Sequence, residues 1–179
     1  MNPRNVLILP GWQNSGPDHW QSRWERAHDY TRVDEHDWMR PLRGDWIARL
    51  EEVLLACDEA VVLVAHSLGC IQIAAWASHS KNTSRVKGAL MVAPPDVERE
   101  DLRQMLSGWA PVPLQPLPFP AIVFASSDDP FCAPARSAQF AAAWGAGRIA
   151  AGPRGHLNAD SGLGDWPEAH EHLLELMRL

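Results

Sequence analysis

Ala65-His66-Ser67-Leu68-Gly69 directly follows the apolar run Ala60-Val61-Val62-Leu63-Val64 and directly precedes an apolar stretch of helical length. That succession reads as strand, tight turn, helix. A serine at such a turn stands with its hydroxyl exposed above the sheet, and small residues two before and two after it let strand and helix approach each other. Ala65 and Gly69 are those small residues. Alanine stands where glycine is commoner, but it is small enough for the same packing.

A nucleophilic serine needs a base and a group to orient the base, and on a strand-turn-helix scaffold the chain order is Ser, then Asp or Glu, then His. Both partners stand downstream in that order. Ala121-Ile122-Val123-Phe124-Ala125 is a second unbroken apolar run, the pattern of a parallel strand buried on both faces, and it leads into Ser126-Ser127-Asp128-Asp129-Pro130. A carboxylate at the C-terminal end of such a strand lies on the edge where α/β sheets bind ligands. Asp128 and Asp129 meet that condition almost equally. The base candidate is His156, in Gly152-Pro153-Arg154-Gly155-His156-Leu157-Asn158, where a glycine turn lets a loop reach back over the sheet edge. Among the other histidines, His170 and His172 fall on the last helical pattern and read as surface residues. His66 sits in the turn and packs beneath it, and His19 is open to a pocket or a structural role. For Ser67 the plain alternative is a helix N-cap, favoured for backbone reasons alone.

Around these residues, apolar runs of strand length recur at 6–9, 60–65, 88–92 and 121–125, and short strands fit around 31–33 and 148–150. Helical patterns fit 18–28, 43–56, 67–78, 134–144 and 165–178. This alternation predicts a three-layer α/β fold, with a mainly parallel sheet of about six strands, right-handed crossovers and helices on both faces. Residues 94–120 break the rhythm with seven prolines around one short helix near 98–106. Proline fixes φ and removes a donor, so 111–120 should be an extended, irregular connection. It is too short to carry a large lid domain, and the site is expected to be open and walled by loops. A length of 179 residues suits a single domain over 1–179.

A net charge of −6 with no cluster of Lys or Arg argues against a nucleic-acid partner. The four apolar residues 6–9 after Met1-Asn2-Pro3-Arg4-Asn5 are too few for a signal-peptide core or a membrane span, so a cytoplasmic protein without a membrane partner is expected. Cys57, Cys70 and Cys132 are odd in number and not closely paired, which indicates neither a disulfide framework nor a zinc site. No metal or other cofactor is expected. Of the nine tryptophans, Trp24, Trp46, Trp76 and Trp144 lie in helical patterns and read as packing, whereas Trp12 and Trp20 are better placed to touch a ligand.

The first strand ends in Pro10-Gly11-Trp12-Gln13-Asn14-Ser15-Gly16, a loop of the kind that supplies one backbone N–H to an oxyanion hole. The second donor would be the residue after the nucleophile, Leu68. Trp12 is the candidate for the first. Leu9-Pro10-Gly11-Trp12, His19-Trp20, Asp37-Trp38 with Pro41, Asp45-Trp46, His66-Ser67-Leu68-Gly69, Ala93-Pro94-Pro95, Ser127-Asp128-Asp129-Pro130-Phe131, Gly155-His156-Leu157-Asn158 and Ser161-Gly162-Leu163-Gly164-Asp165-Trp166-Pro167 occur in that order. Together they closely resemble the small serine hydrolases of the YdeN type, relatives of a retinoblastoma-binding protein within the α/β-hydrolase superfamily. The resemblance covers nearly the whole chain. It implies an α/β-hydrolase fold without a large cap, aligns Ser67, Asp129 and His156 with the family's triad, and is the main reason to favour Asp129 over Asp128.

The expected function is that of a serine hydrolase that cleaves small carboxylic esters through an acyl-enzyme, a monomer acting on a small-molecule acyl substrate. Gly11, His19, Trp20, Pro94 and Phe131 are the candidate substrate-binding residues. The rival is a binding or regulatory protein with a vestigial hydrolase site, because Leu55-Ala56-Cys57-Asp58-Glu59 fits the Leu-x-Cys-x-Glu pattern by which some proteins engage the retinoblastoma pocket. That segment joins a helix to the strand before Ser67, so Leu55 and Cys57 are expected to be core residues that an extended docking mode could not reach.

Overall fold

A computed structural model describes residues 5–179. Residues 1–4, part of the opening segment weighed against a signal peptide, lie outside the described residues. Six strands, β1 (Val6–Leu9), β2 (Thr31–Arg32), β3 (Val61–His66), β4 (Val86–Val92), β5 (Ala121–Ala125) and β6 (Gly147–Ala150), form one sheet in the order β2-β1-β3-β4-β5-β6. Every pairing is parallel. The apolar runs are unbroken because the central strands are buried on both faces. In β3, Val61, Leu63 and Ala65 feed one core while Val62 and Val64 feed the other, as the twofold alternation of a strand dictates.

The helices α1 (Trp20–His28), α2 (Arg43–Ala56), α3 (Leu68–Ala77), α4 (Glu100–Met105), α5 (Pro134–Trp144) and α6 (Pro167–Met177) complete the three layers. Trp46, Leu50 and Leu54 of α2, the apolar residues of α3, and Phe140 and Trp144 of α5 fill one face of the sheet. Trp20 and Trp24 of α1 and Leu173 and Leu176 of α6 fill the other. Each such large side chain taken out of water stabilises the fold by roughly 1.5–3 kcal/mol. The chain runs from β1 outward to β2 and then returns to place β3 on the other side of β1. That reversal opens a crevice beyond the C-terminal ends of β1 and β3, where ligands bind in sheets of this kind.

Several boundaries move for local reasons. The first helix begins at Trp20 rather than at 18, because His19 caps it with Nδ1 accepting the Gln21 N–H at 3.2 Å. The third begins after Ser67, whose backbone is not helical. Residues 106–120 contain no helix or strand, yet they are pinned to the core. The indole N–H groups of Trp109 and Trp144 donate to the carbonyls of Pro41 and Pro113, both at 2.8 Å. Trp24, Trp46, Trp76 and Trp144 are all packing residues, each 1% exposed.

Leu55 corrects an expectation: it is 51% exposed rather than core, because the face of α2 that packs runs through Trp46, Leu50 and Leu54. Cys57 is half-buried with its thiol donating to the Val53 carbonyl. The helix persists to Ala56, so Leu55 is helical and the Leu-x-Cys-x-Glu segment is not an extended strand.

Candidate active site

Ser67 sits where β3 turns into α3, with φ 53 and ψ −122. A non-glycine residue there carries strain on the order of 1–3 kcal/mol, which persists only when the surroundings over-determine it. They do so here. The Ser67 N–H donates to the Val92 carbonyl at 2.9 Å, and Gly69 lies so close to β1 that a Cβ would stand 2.5 Å from the Leu9 carbonyl oxygen. Ser67 occupies the N-cap position of α3, but its side chain makes no capping hydrogen bond to the helix. Its Oγ lies 2.9 Å from His156 Nε2 instead.

His156 and Asp129 complete a continuous line. The imidazole Nδ1 is 2.9 and 3.0 Å from the two carboxylate oxygens of Asp129. An ionised carboxylate only accepts, so Nδ1 carries the proton and Nε2 presents its lone pair to the Ser67 hydroxyl. The Asp129 side chain is 3% exposed and that of His156 10%. Asp128 does something else: its Oδ1 accepts from Ser126 Oγ at 2.7 Å and from the Gly155 N–H at 2.8 Å. The Ser126 hydroxyl and the Gly155 amide hold its carboxyl below the ordinary carboxylate range. Ser126 Oγ also accepts the Arg154 N–H at 2.9 Å, and Ser161 Oγ donates to the Arg154 carbonyl at 2.6 Å. The part Ser126 plays in holding the loop that carries His156 is invisible in sequence, because it meets Arg154 from 28 residues away, whereas Ser161 acts within the loop itself.

On the opposite side of Ser67, the loop after β1 folds against the elbow. A Cβ on Gly11 would lie 2.8 Å from Ser67 Cβ and 3.2 Å from both Leu68 N and His66 O. The Trp12 N–H has no partner among the described residues, and Leu68, as the first helical residue, has no intrahelical acceptor. The loop is fixed by the Gln13 N–H donating to the Trp38 carbonyl at 3.0 Å and by the Trp12 indole donating to the Met39 carbonyl at 3.1 Å. Two donors without a partner among the described residues therefore sit on the segments flanking Ser67.

The remaining sequence candidates divide. Phe131 is half-buried, with its ring edge-on to His156 at 4.6 Å. Both residues also line an open groove of about 610 Å³ with Arg154, Asn158 and Asp160. Pro94 is buried just beyond β4. Trp20 is not a ligand contact: it is 1% exposed and its indole donates to the Leu157 carbonyl at 2.9 Å. His19 is likewise 4% exposed, capping α1 and set edge-on to His66 at 4.6 Å. Burial, then the charge of Arg32 and the neighbouring His156, pushes His19 down to about 3, so its imidazole is neutral. His172 faces outward, a third of its side chain exposed and Nδ1 2.9 Å from Glu175 Oε2, whereas His170 is half-buried rather than on the surface. His170 stacks on His28 at 4.2 Å and meets the Tyr30 hydroxyl at 2.8 Å, and burial with His28 nearby lowers it to about 4.

Among the described residues no group of three or more His, Cys, Asp or Glu could hold a metal ion, and no helix is long and apolar enough to cross a membrane. The three cysteines are free thiols. The serine hydrolase family model matches residues 6–175. A YdeN-like hydrolase from Pectobacterium atrosepticum superimposes with a TM-score of 0.83 at 27% identity, covering 96% of this chain and 89% of that one. The ydeN gene product of Bacillus subtilis gives 0.75 at 21% identity over 97% and 98% of the two chains. Est1E from Butyrivibrio proteoclasticus, with ferulic acid bound, gives 0.71 at 11% identity over 97% and 89%, a likeness of fold alone. No curated protein matches the sequence.

Proposed function

The chain belongs to the serine hydrolase family, and on that premise we propose that it cleaves small carboxylic esters with Ser67 as nucleophile, His156 as base and Asp129 as the group that orients the base. The observation that carries this reading is the line from Ser67 Oγ through His156 to Asp129, each step at 2.9 Å, built on a strained elbow that makes no cap. The Ser67 proton passes to His156 Nε2 as Oγ bonds to the ester carbon, and the carbonyl electron pair moves to an oxyanion facing the Trp12 and Leu68 N–H groups. The bond from carbon to the leaving oxygen then breaks, and the imidazolium returns its proton to that oxygen, releasing an alcohol. Water, deprotonated by the same imidazole, attacks the acyl-enzyme and frees the acid.

Esters are the preferred substrate class because the groove beside His156 is open and no large lid stands over it among the described residues. Such a site gives limited enclosure, which suits a small acyl group with a leaving group that departs easily. Ser67→Ala is expected to abolish turnover of short-chain p-nitrophenyl esters while leaving the melting transition in place. Ester hydrolysis that persists in pure, folded Ser67→Ala protein would remove Ser67 from this role.

A further inference from the structure

The two carbonyls that follow on from the base imidazole are both gripped from the core. The His156 carbonyl meets His66 Nε2 at 2.9 Å, and the Leu157 carbonyl accepts from the Trp20 indole N–H at 2.9 Å. A carbonyl can only accept, so His66 carries its proton on Nε2. Neither donor belongs to the loop it holds. His66 is the last residue of β3, adjacent to Ser67, and Trp20 is the first residue of α1. His66 is 6% exposed and Trp20 1%, and their rings meet edge-on at 6.2 Å, with His19 packed against both.

The segment they grip needs holding. Leu157 is fully buried at φ 50, a left-handed conformation that a leucine rarely adopts. Strain of this kind survives only where fixed partners outweigh it. Burial above all, with His19 and His156 nearby, keeps the His66 imidazole neutral, so the ring stays a single-proton donor.

We propose that His66 and Trp20 are positioning residues that clamp the His156 and Leu157 carbonyls and so hold the His156 imidazole at hydrogen-bonding distance from Ser67. The proposal rests on the reading of Ser67 as nucleophile and His156 as base. It explains how two groups 89 residues apart are kept in register. His66 is covalently next to the nucleophile and hydrogen-bonded to the main chain of the base, so one residue and one hydrogen bond span the gap. Near-attack geometry of this kind is lost over displacements of about 1 Å.

Three variants test it. His66→Phe keeps a ring and removes the donor, His66→Gln restores an amide N–H near the position of Nε2, and Trp20→Phe removes the second donor. On a short-chain p-nitrophenyl ester, His66→Phe and Trp20→Phe are expected to lower kcat roughly ten- to hundredfold with KM little changed, and His66→Gln to recover most of the loss. In proton NMR spectra the downfield His156 Nδ1–H resonance, bonded to Asp129, should shift or broaden in both Phe variants and return in His66→Gln. Wild-type kcat and an unchanged resonance in His66→Phe would overturn the clamp. So would a His66→Gln variant as slow as His66→Phe. If the wild type turned over no ester while the resonance still responded to His66→Phe and recovered in His66→Gln, the hydrolase reading would fall and the clamp would stand.

Discussion

Replacing Gly11 by alanine perturbs the site by a single methyl group whose neighbours are known. Gly11 is not at positive φ, so alanine meets no backbone strain there and the whole effect is contact. The new carbon would stand 2.8 Å from Ser67 Cβ, where carbon atoms rest at about 3.5–4.0 Å, and 3.2 Å from Leu68 N. The loop after β1 and the elbow must therefore separate by roughly 0.7 Å or more. Overpacking of this size costs on the order of 1–3 kcal/mol, which for a domain of this length lowers Tm by roughly 2–12 °C. The same separation moves the Trp12 N–H away from the oxyanion, and a lost donor there costs about 10²–10³ in kcat. Steady-state hydrolysis of p-nitrophenyl acetate, normalised by active-site titration and read beside a thermal melt, measures both effects. Gly16→Ala is the control, since a Cβ there meets nothing within 4 Å and should leave kcat and Tm unchanged. Gly11→Ala protein that turns over at the wild-type rate would refute the placing of an oxyanion donor on this loop.

The other expectations concern charge, strain and pH. Asp129→Asn should lose about 10³–10⁴ in kcat because His156 is then free to take the wrong tautomer, whereas Asp128→Asn should mainly lower Tm, since Asp128 holds Ser126 and Gly155 rather than the imidazole. Equal kcat losses would undo that division. Ser67→Gly relieves the strained φ that Ser67→Ala retains, so it should melt roughly 2–4 °C higher than Ser67→Ala, net of the entropy that glycine costs. Glu35 is buried against Gln72, and burial pushes its carboxyl up to about 7. A raised folded-state value means that stability is lost as pH rises from about 4.5 through about 7, where the buried group must ionise. Glu35→Gln should therefore raise Tm at pH 8 and give no gain near pH 4.5, and a Tm difference independent of pH would show that ionisation is not the cause.

The parts of the fold that were legible in sequence are those governed by near neighbours along the chain. The unbroken runs of β1, β3 and β5 announce strands buried on both faces, and the switch to helical spacing after Ser67 announces the elbow. The prolines of 111–120 mark a stretch with no room for regular structure. What the sequence could not separate depends on where loops arrive. Asp128 and Asp129 differ by one position at the end of the same strand, and only the return of the 152–158 loop decides which carboxylate meets the His156 imidazole and which meets the Gly155 N–H. Trp20 looked like a pocket wall because it follows the loop after β1, yet its side chain points into the core, where the Leu157 carbonyl supplies an acceptor from 137 residues away. Leu55 is expected in the core because its segment joins a helix to the buried strand before Ser67, but it falls off the face of α2 that packs. His170 read as solvent-facing until Tyr30 and His28 came to lie against it.

Covalent labelling with a fluorophosphonate, read by intact-protein mass on wild type, Ser67→Ala and His156→Ala in parallel, tests the central reading most directly. The probe reacts with an activated serine and not with an ordinary helix cap. One adduct on the wild type that disappears in both variants is the expected result. A well-folded wild type that takes no adduct, or a Ser67→Ala variant that still takes one, would contradict the assignment of Ser67 as a nucleophile activated by His156.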